Sequence, residues 1–279
     1  MKNKIIGTFL FIILISAIVY PVTAITDFNK SQTILNDANI PIWEKGDQWT
    51  YNFIESRSQM FVYTLSGELS LKVVEDSSDS YVLEAKTRPQ GNFDMGGYGL
   101  KTTRLTFLTM RIQMRKTDLA LEGFYYQIKG LLFITIGSIT TPIPIQVAGS
   151  ATVEFDPPWV IMPFPLYDGK SGELSEVEIL NINVYFTLFW GLVSIYGPQN
   201  YSIPYFPIPY ICSQEQINVE AGNFNVFNVS AEATDGSKFV SCYCEEVGNV
   251  VSEIILLPFG GGRVQYSLTL ELKDWSYTP

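Results

Sequence analysis

The chain reads as an all-β protein: a strongly curved antiparallel sheet or open half-barrel, built from two meander halves with few helices. Three observations predict this. Two-residue alternation recurs along the chain and is cleanest near its end, where Val264, Tyr266, Leu268, Leu270 and Leu272 alternate with Gln265, Ser267, Thr269, Glu271 and Lys273. That period means a strand with one buried face and one wet face. Turn chemistry separates such runs, as at Ala221-Gly222-Asn223, Asp235-Gly236-Ser237 and Val247-Gly248-Asn249. The alternating stretches 103–115, 145–155, 178–190 and 262–274 are also long, which favours a curved or barrel-like sheet over a small sandwich.

Residues 1–24 have the form of a secretory signal peptide. Lys2 and Lys4 precede an apolar core from Ile5 to Tyr20, and Val22-Thr23-Ala24 offers a small-residue cleavage site. Residues 25–40 are polar and aperiodic, and read as a tether. An N-terminal β half is expected over 41–156, an apolar proline-rich crossover over 157–175, and a C-terminal β half over 176–279.

Within the first half, Trp49, Tyr51 and Phe53 share one face of an opening strand after the Lys45-Gly46-Asp47 turn. Leu69, Leu71 and Val73 form the next inward row. An acidic turn at 75–80 leads to Tyr81, Leu83 and Ala85. Residues 88–99, rich in glycine, read as a loop. The run 103–115 changes phase: Leu105 and Phe107 share one parity, Leu108, Met110, Ile112 and Met114 the other. A one-residue slip of this kind marks a β-bulge. Strands at 119–128, 131–138 and 145–155 follow. In the second half, Leu180 to Trp190 alternates, and four strands after Ser213 form a closing meander.

Two proline-aromatic stretches break the rhythm, at 157–169 and 198–211. Prolines exclude a central strand there, yet both stretches are strongly apolar. Trp159, Phe164, Tyr205, Phe206 and Tyr210 exceed what an exposed loop carries. They either plug the concave side of the sheet or line a pocket for an apolar ligand at its mouth.

Catalytic signatures are few. The chain has no histidine, which removes the usual base of Ser-His-Asp and Cys-His catalysis. Asp47, Asp94, Asp118, Glu154 and Asp156 read as solvated carboxylates, and Gly260-Gly261-Gly262 lacks the lysine and helix of a phosphate loop. No metal or cofactor is expected. With 18 basic against 28 acidic residues, net −10, the chain would be repelled by nucleic acid and anionic lipid surfaces. For an exported chain, Cys212, Cys242 and Cys244 are disulfide candidates, Cys212 pairing with one of the other two. Zinc held by the three thiolates is the alternative. Asn29, Asn200 and Asn228 each fit the N-glycosylation pattern.

Several short motifs carry a resemblance. They are Trp43 to Tyr51 with its Gly46-Asp47 and Trp49, Arg115 to Leu121, Phe164 to Gly169, Val219 to Phe224, and Tyr243 with Glu246 to Val251. Together they resemble uncharacterised secreted β-rich envelope proteins of archaea, and more distantly bacterial envelope domains with curved sheets like the periplasmic lipoprotein carriers. The resemblance implies a curved sheet and no particular reaction. The expectation for function is a secreted or cell-surface, non-enzymatic protein, holding a lipid or other apolar small molecule in the curve of its sheet. The alternative is a structural or interaction protein with an envelope protein partner and a filled core.

Overall fold

A computed structural model describes residues 37–58, 62–87, 89–94, 103–134, 143–174, 179–188, 193–202, 208–233, 236–258 and 264–278. All regular structure among them is β, in fifteen strands: β1 Gln48–Arg57, β2 Val62–Asp76, β3 Ser80–Thr87, β4 Gln90–Asp94, β5 Thr103–Arg115, β6 Leu121–Ile134, β7 Ile143–Trp159, β8 Ser171–Leu174, β9 Ile179–Leu188, β10 Val193–Ser202, β11 Ile208–Val219, β12 Gly222–Glu232, β13 Lys238–Cys244, β14 Asn249–Pro258 and β15 Val264–Ser276. They make one antiparallel sheet in the order β10-β9-β7-β6-β5-β3-β2-β1-β15-β14-β13-β12-β11-β8, with β4 beside β2 and β5. The two ends of this path do not pair, so the sheet stays open.

The first strand sits in the middle because both its edges are used. β1 pairs with β2 on one side and with β15 on the other. Its parity sets the inner face. Trp49, Tyr51 and Phe53 are buried, while the alternate residues Thr50, Asn52 and Ile54 face outward to different degrees. Across the ladders the same row continues through Leu71, Ala85, Met110, Tyr126 and Ala151. The main core gathers on this face.

Its densest part lies at one rim. Trp43 packs 5.4 Å from Trp49 and 5.3 Å from Tyr81, ring centre to ring centre. The Trp43 indole donates to the Gly248 carbonyl at 2.7 Å, and the Trp49 indole to the Val247 carbonyl at 2.7 Å. Gly248 has φ of 66°, and a Cβ there would fall 2.4 Å from the Tyr277 ring. Glycine is therefore required on both counts. These contacts tie β1 and the segment before it to the β13–β14 hairpin.

On the far side of β15, the middle of β12 is buried on both faces. Val226, Phe227, Asn228 and Val229 are consecutive on β12, and all are buried. The ladder assigns Phe227, Val229 and Ala231 to a second cluster with Tyr210 and Cys212. Phe224 and Val226 point the other way and join the main core, Phe224 edge-on to Trp275 at 5.4 Å.

The expectations need several corrections. The runs at 119–128 and 131–138 form one strand, β6. The 88–99 segment contains β4, a short strand at Gln90–Asp94. The closing meander has five strands, β11 to β15, and β11 already starts at Ile208, within the second proline-aromatic stretch. β7 runs through Pro157 and Pro158 to Trp159, where Leu121 is its partner beyond a register shift. The division at 176 does not hold either. β9 and β10 extend the N-terminal side of the sheet through β7, whereas β8 pairs with β11 at the opposite edge. The tether ends before Ile40, since Ala38 is fully buried and exchanges two backbone hydrogen bonds of 2.8 Å with Leu166. The expected bulge in β5 is present, with ladder shifts between Arg104 and Phe107 and between Gln113 and Met114.

Substituting Trp49→Phe keeps an aromatic ring but leaves the buried Val247 carbonyl without its donor. We expect a loss of about 2–4 kcal/mol in urea unfolding, from the unmade bond and the missing ring. A loss within about 0.5 kcal/mol would show that the indole bond does not hold the rim together.

Candidate functional site

The first proline-aromatic stretch crosses from β7 to β8, from one side of the sheet to the other. Its path is fixed by polar contacts that need no regular structure. Besides the Ala38–Leu166 bridge, the Gly169 amide donates to the Cys212 carbonyl at 2.9 Å and the Cys212 amide to the Lys170 carbonyl at 2.7 Å. The Lys170 ammonium donates to the carbonyls of Pro163 and Pro165, at 2.5 and 2.7 Å. Peptide bonds before Pro157 and Pro165 are cis.

Three of the five aromatic residues expected at a ligand site lie among the described residues, and each is used in packing. Trp159 lies against Phe155 at 5.9 Å in the main core. Phe164 meets Tyr243 edge-on at 5.0 Å and touches both clusters. Tyr210 is buried in the second cluster, close over Gly172. Phe164 and Tyr210 are thus brought into one cluster, and Trp159 stands apart from Tyr210. Tyr205 and Phe206 lie outside the described residues.

The three cysteines are free and buried. This corrects the disulfide expectation, and the ladder gives the reason. Cys212 shares a row with Val229 and Ser241, whereas Cys242 shares the next row with Ser213 and Asn228. Adjacent rows point to opposite faces of the sheet, so Cys212 and Cys242 have the sheet between them. Cys244 packs with Cys242 in the main core, also away from the second cluster that holds Cys212. Burial pushes the Cys212 thiol up to about 11 and the Cys242 thiol to about 12, and raises that of Cys244. Among the described residues no group of side chains is arranged to hold a metal ion.

Asn228 also needs correction as a glycan acceptor. It is 7% exposed in the middle of a central strand, where a glycan has no room. Asn200 lies on β10, and Asn29 is outside the described residues.

The inner face carries polar groups that the sequence reading passed over. Along β1 the inward row runs Trp49, Tyr51, Phe53, Glu55, Arg57, so two charges continue an aromatic row. Glu55 is 3% exposed and Arg57 6%. Period two alone gives this placement; the signal was available two residues past the point where the aromatic row ended. Phe53, Leu65, Tyr266 and Leu268 form the apolar cluster at this level. Arg57 stands opposite Tyr266, and Glu55 opposite Leu268 and Leu65. Across the curve, burial raises Tyr126 well above the usual tyrosine value, and the charge of Glu55 adds to the effect. A second acid, Glu253, is pushed up to about 7 by burial, against a 3.3 Å hydrogen bond donated by Ser241.

The outer face has a groove of about 550 Å³ over Gly123. It exists because β6 is bulged there and a Cβ on Gly123 would fall 2.5 Å from the Val153 carbonyl oxygen. Arg111 pairs with Glu75 at 3.1 Å and Gln113 donates to Glu122 at 2.8 Å, so much of its polar lining is already engaged.

Comparison with protein-family models, with curated proteins and with solved structures finds no match to this chain.

The thiol assignment is open to direct count. Ellman's reagent should leave the native chain almost unlabelled and label all three cysteines after unfolding without reductant. A single reactive thiol in the unfolded chain would restore the disulfide.

Proposed function

We propose that the chain is a secreted or cell-surface, non-enzymatic β protein that holds a lipid or other apolar ligand on the inner face of its curved sheet. One observation carries the reading: the inner face changes character along its length. At one rim it is packed with Trp43, Trp49, Tyr81 and Tyr277. Toward the other rim side chains shorten, from Tyr81 and Leu83 to Ala85 on β3 and from Phe155 and Val153 to Ala151 and Gly149 on β7. There the apolar lining is interrupted only by Glu55 and Arg57 among the described buried residues of β1. An apolar concave surface with few convergent polar groups is the usual form of a small-molecule site. The leader-like N-terminus and acidic balance support an extracytoplasmic place for it.

A second reading, a structural or interaction protein of the envelope with a filled core, has its own support. Trp159, Phe164 and Tyr210 pack against the two clusters.

Mass spectrometry of an organic extract separates the two. Protein purified without detergent should yield a co-purifying lipid in near-stoichiometric amount. An extract free of lipid, from a chain that also fails to take up an added fatty acid, would overturn the ligand reading in favour of the second.

A further inference from the structure

The other described cations whose pairing is known sit at the surface. Lys86, Lys116 and Lys273 pair with Glu84, Asp76 and Glu68, and Arg115 holds Asp118 through two nitrogens, at 2.9 and 2.6 Å. Arg57 is different. It is buried, and its Nε and Nη1 have no hydrogen-bond partner among the described residues. Glu55 lies two residues away on the same face of β1, and its charge adds to the rise of the Tyr126 hydroxyl across the curve.

A guanidinium keeps its charge under the conditions a protein meets. It cannot relieve burial by losing a proton, as a lysine can. Burying an ion without a partner is costly, and Arg57 stands opposite Tyr266, at the level of the apolar cluster of Phe53, Leu65, Tyr266 and Leu268. An incoming anion would satisfy the guanidinium. A bare inorganic anion would lose its own hydration against this apolar wall. An anion that brings an apolar body exchanges that loss for buried hydrocarbon.

We propose that Arg57 reads the anionic head of a single-chain amphiphile whose hydrocarbon lies along the inner face. The head is an oxyanion, carboxylate or phosphate, accepting from Nε and Nη1. This rests on the apolar-ligand reading and adds the ligand's charge and polarity to it. The orientation follows from β1: the head sits at the Arg57 level, and the chain extends over the Phe53 cluster.

The test compares ligands that share a chain and differ in the head. Delipidated protein is titrated with hexadecanoate, hexadecyl phosphate, hexadecanol and inorganic phosphate. At least one charged amphiphile should bind about tenfold or more tighter than the alcohol, as a charge-assisted hydrogen bond supplies. Which one binds identifies the head. Inorganic phosphate should bind at least about tenfold more weakly than that amphiphile, for want of the chain. Arg57→Met should erase the preference and keep alcohol binding. Arg57→Lys, which retains the charge, should keep part of the preference. The ligand-free Arg57→Met chain should melt no lower than the parent, because it loses an unpaired charge and gains an apolar side chain. Equal binding of alcohol and anions by the parent would overturn this inference and leave the apolar-ligand reading standing. A preference that survives Arg57→Met, or an Arg57→Met chain that fails to fold, would also overturn it, the latter by showing the guanidinium paired within the protein. Binding of none of the four would overturn both readings.

Discussion

The pairing of the first strand with the last is the constraint on which the structure depends. β1 meets β15 from Gln48–Ser276 to Arg57–Tyr266, with one shift at Thr50. The strands on one side of that seam reach it through β2, and those on the other through β14. Closing so long a loop costs entropy that grows slowly with its length, and the seam offsets it with a full ladder and with buried aromatics on one side. Trp49 and Tyr51 sit on β1, and both reach the β13–β14 hairpin: the indole donates to Val247, and the Tyr51 hydroxyl to Val250 at 3.0 Å. The seam is therefore held in the plane of the sheet by backbone bonds and across the rim by side chains.

The crossovers give the sheet its second means of holding together. β7 leads to β8 at the opposite edge, and β9 then returns to pair with β7. The 157–170 segment covers the second cluster on the way, with Met162 and Leu166 buried in it. Covering that face is what permits β12 to be buried on both sides. Burial on the opposite face has its cost in the row of Val226 and Cys242, where Glu215 Oε2 and Asn228 Oδ1 have no partner among the described residues.

Much of the fold was legible because alternation is a local property. The inward rows of β1, β3, β7 and β15 follow from period two, and the β5 slip followed from a parity change between Phe107 and Leu108. Pairing between distant strands leaves no such local mark. Nothing in 178–190 distinguishes a partner in β7 from one in the closing meander, so β9 was placed in the wrong half. Proline misled at 157–159 because β7 is bulged out of the ladder next to Leu121 and Gly123, where a missing N–H does less harm. Cysteine pairing failed for want of register, since one residue decides which face a thiol occupies. The aromatic stretches read equally as a plug or as pocket lining, because bulk alone does not separate the two; Trp159, Phe164 and Tyr210 pack against the clusters, and Tyr205 and Phe206 lie outside the described residues. Glu55 and Arg57, two charges on a row that should be apolar, were the departure from pattern.

If the seam joins both arms into one cooperative unit, native-state hydrogen exchange in mild denaturant tests it most directly. Amides of β6 and β12, on either side of the seam, should open with the same free energy as those of β1 and β15 and with the same denaturant dependence. Exchange of one arm through a cheaper opening, with the other arm and the seam still protected, would contradict the account.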